Sequence, residues 1–175
     1  MKKLDKETKK IQMEILTKLI DLENSKGHLL WKVSELARLS KVSRPLIYYH
    51  FGKTKKEIFK RALDIVSVEY FGITPERIKM LSEGRAWESV LQTRELILKY
   101  PSYLVFYLKW RTSKSPLKEH FIEIEKKYQA HLQSNFPHFS KAKILALHAL
   151  LFGTVISPFL TNEALAELEK LTRKL

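Results

Sequence analysis

Cysteine is absent from all 175 residues, so no disulfide, thiolate metal site or cysteine nucleophile is available. Glycine is scarce at five, and the five are scattered, so no glycine-rich loop can cradle a phosphate. No nucleophile elbow and no carboxylate dyad occurs; Glu123-Ile124-Glu125 and Glu163, Glu167 and Glu169 read as solvated helix faces. An enzyme is therefore not expected. His120, His131, His138 and His148 form no His-x-x-x-His pair with a matching carboxylate, so neither a metal nor a cofactor is expected. No strand pattern, internal repeat or long flexible linker appears. Behind Met1-Lys2-Lys3 there is no apolar signal core, so secretion is not expected and a cytoplasmic location is. Charge is missing from Ile144 to Asn162, a run long enough to raise a membrane helix. His148, Thr154, Ser157 and Pro158 argue against one, and no charged anchors mark a topology.

What the chain has in quantity is positive charge. The formal net charge is +13, and 45% of residues are apolar, enough for a folded core at this length. Residues 1–60 hold 15 Lys/Arg against 7 Asp/Glu, and the remaining residues 17 against 12. The excess is densest at the amino end, where a polyanion would be met. Membrane surfaces and RNA also attract basic proteins, so charge alone does not choose among them.

Residues 5–26 form an amphipathic helix, with Ile11, Ile15, Leu19 and Leu22 in one stripe widened by Leu16 and Ile20. Gly27 ends it. Lys2, Lys3, Lys6, Lys9 and Lys10 crowd its start and oppose the helix dipole: either an anion lies nearby or the lysines are a solvated tail. From Val33 to Phe59 the pattern is two short helices meeting at a turn, then a third. Val33, Leu36 and Ala37 share one face, and Ser40-Lys41-Val42-Ser43 breaks the pattern with Val42 as its apolar plug. Ser43 is an N-cap residue, and Pro45 fits the first turn that follows. Ile47 and Phe51, four apart, point inward; Arg44, Pro45, Tyr48 and Tyr49 point outward. A guanidinium, two phenols and a proline on the open side of a short helix suit the DNA major groove.

Gly27, Val33-x-x-Leu36-Ala37, Val42-Ser43-x-x-x-Ile47-Tyr48-Tyr49-His50-Phe51 and Lys53-Thr54-Lys55 resemble the DNA-binding domain of the TetR family of bacterial repressors. The likeness spans about residues 8–60 and implies a helix-turn-helix domain, 1–60, followed by a helical dimerisation and effector domain, 61–175. It implies a homodimeric transcriptional regulator, a repressor on a pseudo-palindromic operator. Arg44 would then read base edges, and Pro45 and Leu46 would meet thymine methyls. Lys32, Ser43, Tyr48, His50 and Lys55, with Lys53 beside it, would hold phosphates, and Tyr49 would serve both. Three departures stand out. Trp31 and Lys32 replace the usual Thr or Ser cap, Leu46 replaces a common Thr, and the turn before Lys55 is one residue longer, leaving open which lysine there meets phosphate. The rival reading is a basic helical scaffold that binds protein or a membrane surface with no sequence preference.

Beyond residue 70 only helical periodicity remains. Thr54-x-x-Glu57 is a capping box for a helix to about Tyr70. Thr74-Pro75, Ser115-Pro116, Ser140 and Asn162 are the expected caps of later helices, giving about nine in an all-α fold. By resemblance, Ser140–Thr161 and Glu163–Leu175 pair with their copies in a four-helix bundle. Leu147, Leu150, Leu151, Gly153, Thr154, Leu165 and Leu168 would line that interface. Tyr103, Phe106, Tyr107 and Trp110 either line a pocket for a small aromatic or apolar effector or pack as plain core.

Overall fold

The computed structural model describes the backbone of residues 3–173 and side chains from Glu7 on, Pro116 and Arg173 excepted. Lys2 and the side chains of Lys3 and Lys6 lie outside the described residues, as do Lys174 and Leu175 of the last expected helix. Among the described residues the fold is all-α, with ten helices and no strand. They are α1 (Lys3–Lys26), α2 (Val33–Ser40), α3 (Arg44–Phe51), α4 (Lys55–Tyr70), α5 (Pro75–Ser82), α6 (Ala86–Lys99), α7 (Ser102–Arg111), α8 (Pro116–Asn135), α9 (Lys141–Ile156) and α10 (Asn162–Arg173). The chain divides into two compact units. One reaches to Ser67 and takes in Ser102–Lys109; the other holds Val68–Pro101 and Trp110 onward.

In the first unit the apolar stripe of α1 is buried at Ile15, Leu16, Leu19, Ile20 and Leu22, and α2 packs on α1 and on α3. Gly27 ends α1 with a φ of +97° and donates its N–H to the Glu23 carbonyl at 3.1 Å. Behind that turn Glu23 is buried. Its carboxylate accepts from the Leu29 amide at 3.0 Å and the Trp31 indole N–H at 2.6 Å, and meets His28 Nδ1 at 3.2 Å. Burying a carboxylate is costly unless donors replace water, and here three groups converge on it. Trp31 itself is 0% exposed, so it packs in the core of this unit. Part of α7 comes back to this unit from later in the chain. Ser102 Oγ donates to Asp21 Oδ1 at 2.5 Å, Asn24 Nδ2 donates to the Ser102 carbonyl at 2.8 Å, and Phe106 lies edge-on to Phe59 at 6.2 Å.

In the second unit α5 packs on α6 and α8, α6 on α9, and α9 on α8 and α10. The Thr74, Ser115 and Ser140 hydroxyls accept from Arg77, Leu117 and Lys143 amides at 3.3, 3.2 and 3.3 Å, as N-caps should. The expected cap at Asn162 is corrected by one residue: Thr161 Oγ1 accepts from the Ala164 amide at 3.3 Å, and Asn162 already belongs to the helix. Two buried arginines satisfy main-chain carbonyls. Arg77 donates to Glu69 and Ser89 carbonyls at 2.7 and 2.8 Å, and burial holds its pKa below the ordinary value. Arg94 donates to the carbonyls of Thr154 (3.0 Å), Ser157 and Leu160, closing the carboxyl end of α9. That helix stops at Ile156, two residues before Pro158 and short of the expected Thr161. No helix among the described residues is long and apolar enough to cross a membrane.

Candidate nucleic-acid interface

The turn between α2 and α3 is built on Lys41 and Val42. Lys41 adopts the left-handed region at φ 55°, ψ 28°, and Val42 is buried as the plug, its N–H donating to the Ala37 carbonyl at 3.2 Å. Ser43 has the extended backbone of an N-cap, but its hydroxyl makes no cap hydrogen bond, so the expected side-chain cap is not formed. Pro45 occupies the first turn of α3, where its missing N–H leaves no gap in the helix ladder.

Two residues, Ile47 and Phe51, anchor α3 to the core, and both are buried. Because they are four apart, the opposite side is turned to solvent. Arg44 and Pro45 are exposed there, Tyr48 is 37% exposed and Tyr49 82%. Leu46 and His50 are half-buried, and the His50 ring meets Tyr49 edge-on at 5.0 Å and Phe51 at 6.4 Å. The outward and inward residues are those the helical spacing predicts. A large aromatic in open water at 82% exposure gives up burial that a core position would supply, on the order of 1.5–3 kcal/mol.

Gly52 ends α3 with a φ of +113°, and a Cβ there would stand 2.7 Å from Glu57 Cβ, so the turn accepts only glycine. The capping box that follows is formed. The Glu57 amide donates to Thr54 Oγ1 at 3.2 Å, while the Glu57 carboxylate accepts from the amides of Lys53 and Thr54 at 2.8 and 3.0 Å. Those two amides hold the Glu57 carboxyl below its ordinary pKa. Lys53 and Lys32 are exposed. Lys55 is half-buried; its ammonium donates to the Trp31 carbonyl at 2.9 Å and lies 5.6 Å from the indole centre. At the start of α2 the Glu35 carboxylate accepts from the Lys32 amide at 3.4 Å, and its ion pair with Lys26 holds its pKa below the ordinary value.

Sequence reasoning missed two features of this region. A groove of about 390 Å³ lies between the end of α3 and α4, lined by His50, Phe51, Gly52, Glu57, Lys60, Arg61 and Asp64. Lys60 and Arg61 follow Glu57 at helical spacing, which puts them on its side of α4, but no signal in the sequence sets that side against His50. The second is Glu23, which reads in sequence as one more charge on a polar stretch of α1.

The remaining candidates fall in different places. Tyr103, Phe106 and Tyr107 are buried in the first unit, with Tyr103 and Phe106 rings 6.4 Å apart, and Trp110 is half-buried and belongs to the second. Of the residues assigned to a dimer interface, Leu147, Leu151 and Thr154 are buried inside their own unit; Leu150, Leu165 and Leu168 are half-buried; Gly153 is exposed. The open side of α9 carries Ala142, Leu145, Ala146, Ala149 and Gly153, with Lys141 and Lys143 exposed in its first turn. No group of three or more His, Asp or Glu able to hold a metal ion occurs among the described residues. Compared with known proteins, the chain matches no family model, no curated protein and no solved structure.

Proposed function

We propose that the protein is a sequence-specific DNA-binding transcriptional regulator of the TetR kind, a cytoplasmic homodimeric repressor acting on a pseudo-palindromic operator. One observation carries the reading: a short helix anchored by Ile47 and Phe51 leaves Arg44, Pro45 and Tyr49 open to solvent, with Tyr48 partly exposed beside them. The helix is eight residues long, a suitable size for a major groove, and it follows a tight turn after another eight-residue helix. Arg44 presents a bidentate donor suited to guanine, and Pro45 an apolar surface suited to a thymine methyl. Tyr48, His50, Ser43, Lys32 and Lys53 hold phosphates around it, and Tyr49 reaches both base and backbone. The exposed face of α9, uncharged beyond the lysines of its first turn, is where a second copy docks, giving the two-fold arrangement that a palindrome needs.

Selection of duplexes from a random pool tests the reading. A repressor of this kind enriches one motif with inverted halves about one or two helical turns apart. A basic scaffold that binds protein or membrane surfaces enriches none, and that result overturns the proposal.

A further inference from the structure

The half-buried lysine at the start of α4 has a peculiar setting. Its ammonium donates to the Trp31 carbonyl at 2.9 Å and lies 5.6 Å from the centre of the Trp31 ring. Trp31 is in turn fixed from behind, its indole N–H donating to the buried Glu23 carboxylate at 2.6 Å. A chain Glu23–Trp31–Lys55 thus runs from α1 through the α1–α2 turn to the first residue of α4. The oxygen that Lys55 holds belongs to the peptide bond leading into Lys32, so the contact fixes the backbone of Lys32 itself. Lys53, two residues before Lys55, has its own amide held by Glu57 at 2.8 Å. Both Lys32 and Lys53 keep their side chains exposed while their backbones are pinned.

We propose that Lys55 is a positioning residue and not a phosphate contact: with Trp31 and Glu23 it forms a latch that sets the two exposed lysines, Lys32 and Lys53, at a fixed separation to grip one DNA strand. The role rests on the DNA-binding reading above. It also accounts for the tryptophan and lysine that replace the ordinary hydroxyl cap before α2. The hydroxyl cap is given up, and a half-buried lysine joins the start of α4 to the residues that lead into α2 in its place.

Titration of the full-length chain against a duplex selected from a random pool and a scrambled duplex of equal length, over a range of salt, separates the roles. Lys53→Met should lower the slope of log affinity against log salt by about one, because one phosphate contact is lost. Lys55→Met should weaken both duplexes about fivefold with the slope unchanged, and lower the melting temperature by about 2–4 °C. Lys55→Gln, which keeps an N–H donor without the charge, should retain most of the affinity; this variant carries the test if Lys55→Met does not fold. A slope reduced by about one in either Lys55 variant makes it a phosphate ligand and overturns the latch. Unchanged affinity with a lowered melting temperature makes the contact merely structural and overturns it too. Should the unsubstituted chain show no DNA preference, the DNA reading fails; the melting comparison of Lys55→Met with Lys53→Met needs no DNA and still tells whether the contact holds the fold.

Discussion

Arg44 stands exposed at the first position of α3. If it reads one base pair, Arg44→Ala should relax preference at that position by ~1–3 kcal/mol and leave affinity for random duplex nearly unchanged, as measured by competition binding. Equal loss on both duplexes would make it a backbone contact. Lys41 is informative in another way. A non-glycine residue at φ 55° carries a conformational cost that glycine avoids, so Lys41→Gly should raise stability by about 0.5–1 kcal/mol in thermal unfolding. No change or a decrease would mean that the Lys41 side chain contributes more than its backbone costs. Both residues could be placed from the sequence, Arg44 by its spacing from Ile47 and Phe51 and Lys41 by its position in the turn. The left-handed geometry of Lys41 could not, because lysine is not a residue that announces it. Glu23 was equally hidden: a carboxylate on a polar stretch gives no sign that Trp31, eight residues on, will need its oxygen.

At the scale of helices, local signals worked where both partners are close in sequence. Thr54 and Glu57 form their box, and Thr74, Ser115 and Ser140 cap as expected. They failed at Asn162, where two capping residues stand side by side and the path of the chain from Arg94's grip on Leu160 favours Thr161. The pairing of α8 with α9 carries a pH dependence. His148 on α9 meets Tyr128 edge-on at 5.2 Å and Phe152 at 6.3 Å, and Gln129 Nε2 lies 3.1 Å from its Nδ1. Burial holds its pKa below the ordinary 6.5, partly offset by Glu125, and the same burial pushes Tyr128 up to about 12. The unfolded chain then takes up the His148 proton more readily than the folded one. Stability supplied by the neutral ring is complete above pH 6.5 and is lost as pH falls from 6.5 toward the lower folded value. Unfolding of His148→Gln in urea should accordingly be flatter with pH below 6.5 than that of the parent chain. Parallel curves would assign the acid loss to other groups.

For the whole molecule the decisive question is whether α9 faces a twin. Nothing stands within 4 Å of a Cβ placed at Gly153, so the single chain accepts a larger side chain there. Gly153→Leu should leave the melting of the isolated chain near that of the parent, within about 1 kcal/mol, while sedimentation equilibrium shows a dimer turned to monomer and operator affinity falls. An unaffected dimer would move the interface elsewhere. The sequence by itself determined the helices, the tight turn of residues 40–43, and the side of α3 that faces water, because periodicity and caps are set by neighbours within a few residues. It could not determine that α7 belongs with α1 and α4, since an apolar helix carries no label for the surface it joins. Nor could it show which leucines of α9 are spent on their own core. Those outcomes rest on contacts between residues far apart in sequence, such as Ser102 with Asp21 and Lys55 with Trp31, which only the tertiary structure decides.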